Sequence, residues 1–200
     1  PDNYTKIQWA VDNASDGDTI IVRDGTYYEN VVVDKQLTIK SENGSDNCIV
    51  NGSWWLDVFT LKADGIRIEG FTITGGKCGI YIRSNNNSVS ENNICSNNWY
   101  GIALSYSNNK KIINNNISSN NGDGILLEYS NNNSISENIV SSNRYGIYLW
   151  YSNKTMIRKN EFINDGLFVD DSYGNIVEDN KVNGKPLVYL EGESDEFIDN

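Results

Sequence analysis

Histidine is absent from the 200 residues, and methionine occurs once, at Met156. Without imidazole, Ser-His-Asp and Cys-His catalysis and histidine-ligated zinc or copper sites are excluded. The three cysteines, Cys48, Cys78 and Cys95, cannot all pair within one chain. None stands in a CxxC or Cys/His spacing, so they read as core or bend packing. Basic residues are scarce as well: 16 Lys and Arg against 27 Asp and Glu leave a net charge of −11. That balance argues against nucleic acid and anionic lipid as partners, since both require a basic face. No transmembrane run, signal peptide, phosphate loop, nucleotide fingerprint or calcium loop is present. A chain that begins at Pro1 reads as a processed or excised piece, with neighbouring domains of a longer chain expected beside it.

What is abundant is repetition. From Gly79 onward one unit is written five times, opening at Gly79, Gly101, Gly124, Gly146 and Gly166. A period of roughly 20 to 23 residues is the signature of a solenoid. Apolar pairs follow each Gly at alternate positions: Ile80/Ile82, Ile102/Leu104, Ile125/Leu127, Ile147/Leu149 and Leu167/Val169. Period two places both members of a pair on one face of a strand, and that face must point inward. A single coil cannot bury its apolar side alone, so coils stack at about 4.8 Å per rung. The expected fold is an all-β, right-handed, single-stranded parallel β-helix. A leucine-rich solenoid has a similar period, but its Leu-dense consensus and helical segment are missing.

A Ser column (Ser84, Ser107, Ser130, Ser152, Ser172) and an Asn column (Asn92, Asn115, Asn138, Asn160, Asn180) recur with the strands. Asn tolerates left-handed backbone geometry, holds tight bends and can bond to its equivalent one rung away, which predicts a structural ladder. Ahead of these coils, Tyr4 to Ser15 carries Ile7, Ala10, Val11 and Ala14 at helical spacing. This predicts a short amphipathic helix, capped by Thr5 or Asn3, that seals the end of the core. The chain then divides into a cap over 1–16, divergent coils over 17–78, regular coils over 79–186, and the start of a further coil or a truncated end over 187–200. In the divergent part, Gly25-Thr26-Tyr27 reads as a turn, and Phe71 takes the Asn position of the repeat.

The opening IQWAVDNASDGDTIIVRDGTYYENVVVDKQLTIKSENG, the segment GIRIEGFTITGG and repeats such as GIYLWYSNKTMIRKNEF together resemble the pectin-lyase-like superfamily. Within it the chain is similar to the NosD-like branch, whose repeats are common in archaeal cell-surface proteins and associated with periplasmic copper binding. The resemblance covers nearly the whole chain and implies the β-helix. The copper ligands it would imply do not carry over, because copper prefers imidazole or thioether donors and only Met156 is present. Calcium, as in pectate-lyase-like chemistry, would need a carboxylate cluster, and Asp170, Asp171, Glu178 and Asp179 are the only dense acidic group in the repeats; they otherwise read as a solvated turn. No other cofactor is expected.

Function is sought on the outward positions. Two residues after each Gly stand Tyr81, Ala103, Leu126, Tyr148 and Phe168; four after stand Arg83, Ser105, Glu128, Trp150 and Asp170. Tyr106, Tyr129 and Tyr151 form a further aromatic file. Aromatic faces stack on sugar rings while carboxylates accept sugar hydroxyls, so Tyr81, Tyr148, Trp150 and Phe168 are the expected binding residues for a poly- or oligosaccharide. Stacking that merely stiffens the wall is the competing account. Glu128 and Asp170 fall two rungs apart, about 9.6 Å by rung spacing, against roughly 6.5 to 9.5 Å for an inverting glycosidase. They are the candidate catalytic pair if the chain is a glycoside hydrolase or polysaccharide lyase rather than a structural or glycan-binding module. Eight Asn-x-Ser/Thr sequons, at Asn3, Asn13, Asn43, Asn51, Asn86, Asn116, Asn132 and Asn153, suit a secreted or cell-surface protein.

Overall fold

In the computed structural model, which describes residues 4–192, the chain winds as a right-handed β-solenoid of about 7 turns behind one short helix. Three sheets form its walls. The first runs from Thr19–Val22 to Ile176–Glu178, the second from Gly25–Tyr28 to Lys185–Pro186, and the third from Val31–Val33 to Leu167–Asp170. Each coil contributes one strand to each wall and pairs in parallel with the coils before and after it. Gly25–Tyr28, expected as a turn, is a strand paired with Cys48–Asn51; its alternation is hidden because only Tyr27 of its two tyrosines packs toward the core.

Register explains the apolar columns. Ile80, Ile102, Ile125 and Ile147 are stacked neighbours in the third wall, and all four are fully buried. The Gly that opens each coil is required by closeness of backbone: a Cβ at Gly101 would fall 2.6 Å from the Gly124 carbonyl oxygen. Phe71, in the Asn position, is buried with its ring 5.9 Å from Phe59, and its N–H donates to the Asn92 side chain. The Phe therefore fills the core while the ladder continues above it.

The Asn column forms a continuous ladder at the corner between the first and second walls. Both the backbone N–H and Nδ2 of Asn92 donate to Oδ1 of Asn115, at 3.0 and 3.1 Å, and the pattern repeats from Asn115 to Asn138, Asn160 and Asn180. A second ladder stands five residues further on, in Asn97, Asn120 and Asn143, and its last rung is Asp165. The sequence displays this second column as plainly as the first. Oδ2 of Asp165 accepts from Asn143 at 2.9 Å, while its Oδ1 is buried without a partner.

Burial pushes the Asp165 carboxyl up from 3.8 to about 6. The folded state therefore binds more protons than the unfolded state between about pH 4 and 6, and this contribution to stability is lost as pH rises through that window. Asp165→Asn supplies the missing donors and completes the ladder. It is expected to raise stability at neutral pH and to flatten the decline between pH 4 and 6, as measured by denaturant unfolding across pH.

The helix, Ile7–Asn13, buries Ile7 and Val11 against the first coil. Its cap differs from expectation: Thr5 makes no capping bond, and Asn3 lies outside the described residues. Instead the Glu29 carboxylate accepts the N–H groups of Ile7 and Gln8 at 2.9 and 3.1 Å. At the other end the Lys35 ammonium donates to the carbonyls of Val11, Asp12 and Ala14. Both helix ends are thus held by charges of the appropriate sign supplied from the coils. At the far end Lys185–Pro186 doubles back on Lys181–Val182 through Asn183-Gly184, both with positive φ. Such an Asn-Gly pair suits a tight hairpin. Residues 193–200, part of the segment expected to begin another coil, are outside the described residues.

Candidate functional site

The outer face of the third wall meets the corner after the second wall in a cleft of about 460 Å³. Its floor is low because the outward column is small or aliphatic at Ala103 and Leu126. Its mouth is open because the corner column, which carries Lys77, Trp99 and Arg144 on other coils, has Gly122 between the last two. A Cβ at Gly122 would lie 2.6 Å from the Trp99 carbonyl oxygen, so the gap is built into the backbone. Trp99 and Tyr100 stand on one side of this notch; Tyr148 and Trp150 stand on the other.

Of the residues expected to bind sugar, Tyr81, Tyr148 and Trp150 line the cleft. Phe168 does not: it pairs in register with Tyr148, and Tyr145 stacks on its ring at 4.7 Å. Glu128 lines the cleft and accepts from the Ser105 hydroxyl at 3.1 Å. Glu128, Trp150 and Asp170 are consecutive in register, so Trp150 stands between the two carboxylates. Asp170 is outside the cleft lining and accepts from the Tyr148 hydroxyl at 3.3 Å.

The carboxylate that joins Glu128 in the cleft is Asp123, one residue before Gly124. It is 2% exposed, and its Oδ1 has no hydrogen-bond partner. Burial raises its proton affinity, with Arg144 and the Tyr145 N–H pulling the other way. Asp57 lies at the far end, accepting from the Cys78 N–H at 3.3 Å. Two cations stand among these acids: the Lys77 ammonium sits 4.6 Å from the Trp99 ring centroid, and the Arg144 guanidinium 5.0 Å from that of Tyr145. The sequence carries a signal for this group in the residues that precede each coil-opening Gly. The two residues before each Gly change type from coil to coil (Lys77-Cys78, Trp99-Tyr100, Gly122-Asp123, Arg144-Tyr145), while the inward columns barely change.

The tyrosine file is a separate feature. Tyr106, Tyr129 and Tyr151 stack with centroids 5.1 Å apart and rings 6° and 4° from parallel. All three have positive φ, near 50°, which is costly for a bulky residue. Trp150 leans on Tyr129 and Tyr151 at 5.6 and 5.8 Å and so joins the file to the cleft. The acidic group at 170–179 is dispersed: Asp170 is on the third wall, and Glu178, on the first, pairs with Arg158 at 2.9 Å. Among the described residues no three His, Cys, Asp or Glu side chains gather to hold a metal.

A family model, periplasmic copper-binding protein (NosD), matches residues 11–164 and 138–200. The chain belongs to the NosD family. A cell surface glycoprotein of Methanothermus fervidus is 46% identical to this NosD chain over 97 residues, which are 47% of the chain and 16% of that relative. Among solved structures, an alginate lyase from Paenibacillus sp. superposes with TM-score 0.66 at 19% identity, over 89% of this chain and 74% of that one. A pectin methylesterase mutant in complex with a hexasaccharide superposes with TM-score 0.58 at 9% identity, over 94% and 88%. At these identities the likeness is one of fold, that of the pectin-lyase-like β-helices. No described helix is long and apolar enough to cross a membrane.

The copper in the family's description does not fit the donors of this chain. It has no imidazole, one thioether, and thiols of which Cys48 and Cys78 are buried and pushed up by burial to about 12. Calorimetry with Cu²⁺ is expected to show no stoichiometric site tighter than about micromolar.

Proposed function

We propose that this NosD chain is a cell-surface β-helix module that binds a poly- or oligosaccharide in the cleft between Trp99/Tyr100 and Tyr148/Trp150. The observation that carries the reading is the notch itself: small floor residues, aromatic walls and hydrogen-bonding carboxylates in one concavity of sugar-binding character. Trp54 and Trp55, exposed in the loop that ends at Asp57, extend aromatic surface past the cleft's first coil. The name of the Methanothermus relative supports a surface location. Tyr81, Tyr148 and Trp150 supply the stacking faces, and Lys77, Arg144 and Glu128 bond to ring substituents.

A second reading, a glycoside hydrolase or polysaccharide lyase, is favoured by the unpartnered Asp123 oxygen and the raised proton affinity of that carboxyl beside Glu128. In it Asp123 donates a proton to the departing sugar oxygen, and Glu128, with Asp170 as the alternative partner across Trp150, acts as base. A glycan-array screen followed by a reducing-end assay on the retained glycans separates the two. Retention without new reducing ends identifies a binding module. New ends that vanish in Glu128→Gln identify an enzyme, and retention of no glycan overturns both.

A further inference from the structure

We propose that Asn86 and Asn132 are the acceptor sites for N-linked glycans on this protein, and that the other described sequons are blocked by the fold. A transferase must reach both the amide nitrogen of the Asn and the Ser/Thr hydroxyl two residues on, in a bend that leaves them free. Asn86-Asn87-Ser88 and Asn132-Asn133-Ser134 lie at the corner where the chain passes from the third wall to the first. Asn86 and Asn132 are exposed, have φ of 59° and 57°, and their side chains make no hydrogen bond among the described residues. The middle residues, Asn87 and Asn133, are buried. Their Oδ1 atoms accept the N–H groups of Ile66 and Lys110, each at 2.9 Å, so each bend is locked from below with its sequon Asn projecting.

The remaining described sequons each lack one requirement. Nδ2 of Asn43 is held by both Asp24 oxygens at 3.0 and 3.1 Å, and that of Asn13 by the Trp9 carbonyl at 2.8 Å. Asn116 is inside a strand and donates to Asn93. Asn51 ends a strand half-buried, its Oδ1 packed where Gly75 leaves no room for a Cβ. Asn153 accepts the Tyr173 N–H at 2.6 Å, and the hydroxyl-bearing Thr155 of its sequon is fully buried.

The spacing of the two free sites has its own logic. Asn86, Asn109, Asn132 and Lys154 occupy the same left-handed corner position on successive coils. At this position only alternate coils carry a sequon Asn: Lys111 stands where Ser88 and Ser134 stand on their coils, and Lys154 takes the place of the Asn itself. The two sites are thereby about 9.6 Å apart rather than the about 4.8 Å of adjacent coils. Neither 84–88 nor 130–134 contributes to the cleft lining, so glycans here leave the cleft open.

In the transfer, Nδ2 gives up one proton and bonds to the anomeric carbon of a lipid-linked oligosaccharide. The polyprenyl phosphate departs with the bonding electron pair and takes up the proton. The test is to incubate the folded, unglycosylated protein with an archaeal single-subunit oligosaccharyltransferase and its lipid-linked oligosaccharide, and to read intact mass. In an Asn3→Gln background, which removes the sequon outside the described residues, two glycan increments are expected without further change, one on Asn86→Asp or Asn132→Asp, and none on the double variant. Ser88→Ala and Ser134→Ala, which keep both Asn bends, are each expected to lose one increment. No increment in that background, or any increment persisting on the double variant, overturns the proposal. The outcome is independent of whether the cleft binds sugar.

Discussion

Asn138→Leu is expected to destabilise the protein by about 3 kcal/mol in denaturant unfolding, and Asn115→Leu by a similar amount. Each side chain is fully engaged. The two N–H groups of Asn138 Nδ2 are shared among three acceptors, the Ile112 and Ser136 carbonyls at 2.9 and 3.0 Å and Asn160 Oδ1 at 2.9 Å. Its Oδ1 accepts from both the backbone and the side chain of Asn115 at 2.9 and 3.0 Å. Leu keeps the branched outline but is bulkier and bonds to nothing, so a group such as the Asn115 N–H loses its acceptor while buried, at about 1 to 3 kcal/mol. The neighbouring rungs are coupled through the shared Oδ1 atoms, so the damage extends beyond one coil. Unchanged unfolding in both variants would mean that the ladder contributes nothing to stability.

Trp150→Ala is expected to abolish oligosaccharide retention while leaving the β-sheet circular dichroism signal in place. The indole is half-buried on the outer face, and the core beneath it is carried by Ile147 and Leu149. Truncation therefore removes the stacking face between the cleft and the tyrosine file without opening a core cavity. Stacking of an aromatic ring contributes roughly 0.5 to 1.5 kcal/mol beyond area burial, and the lost apolar area adds to that, enough to lose a weak multivalent ligand. Trp99→Ala, across Gly122, is expected to weaken the same ligands. Loss of Trp150 that unfolds the chain would assign the residue to wall stacking with Tyr129 and Tyr151 and end the carbohydrate reading of this face. Glu128→Gln keeps the shape and the bond from Ser105 but cannot exchange a proton. Retained binding with lost turnover in that variant identifies an enzyme.

The fold was legible because a stacked solenoid repeats its local rules every coil. The columns beginning at Ile80 and at Asn92 each state one requirement, inward apolar or buried amide, and state it five times. The helix was legible for the same reason at smaller scale, through Ile7 and Val11. Its cap was not, since Glu29 and Lys35 reach the helix from 20 or more residues away and no local spacing reveals that approach. Gly25–Tyr28 was misread because a short edge-like strand next to a Gly looks like a turn until its partner, Cys48–Asn51, is known.

The site divides along the same line. Alternation alone determined which side chains face outward, and it puts Tyr81, Tyr148, Trp150 and Glu128 on the outer face of one wall. Concavity was decided only by the tertiary structure. Depth at a β-helix corner depends on what each coil's neighbours leave unfilled: Gly122 between Trp99 and Arg144, and Ala103 and Leu126 below. The same notch holds Asp123, whose Oδ1 is buried without a partner, while Asp170 stays outside the lining and accepts from Tyr148. A repeat determines its own backbone, because each coil must satisfy the next. A cleft is a departure from the repeat, and its shape exists only where several different departures meet in space.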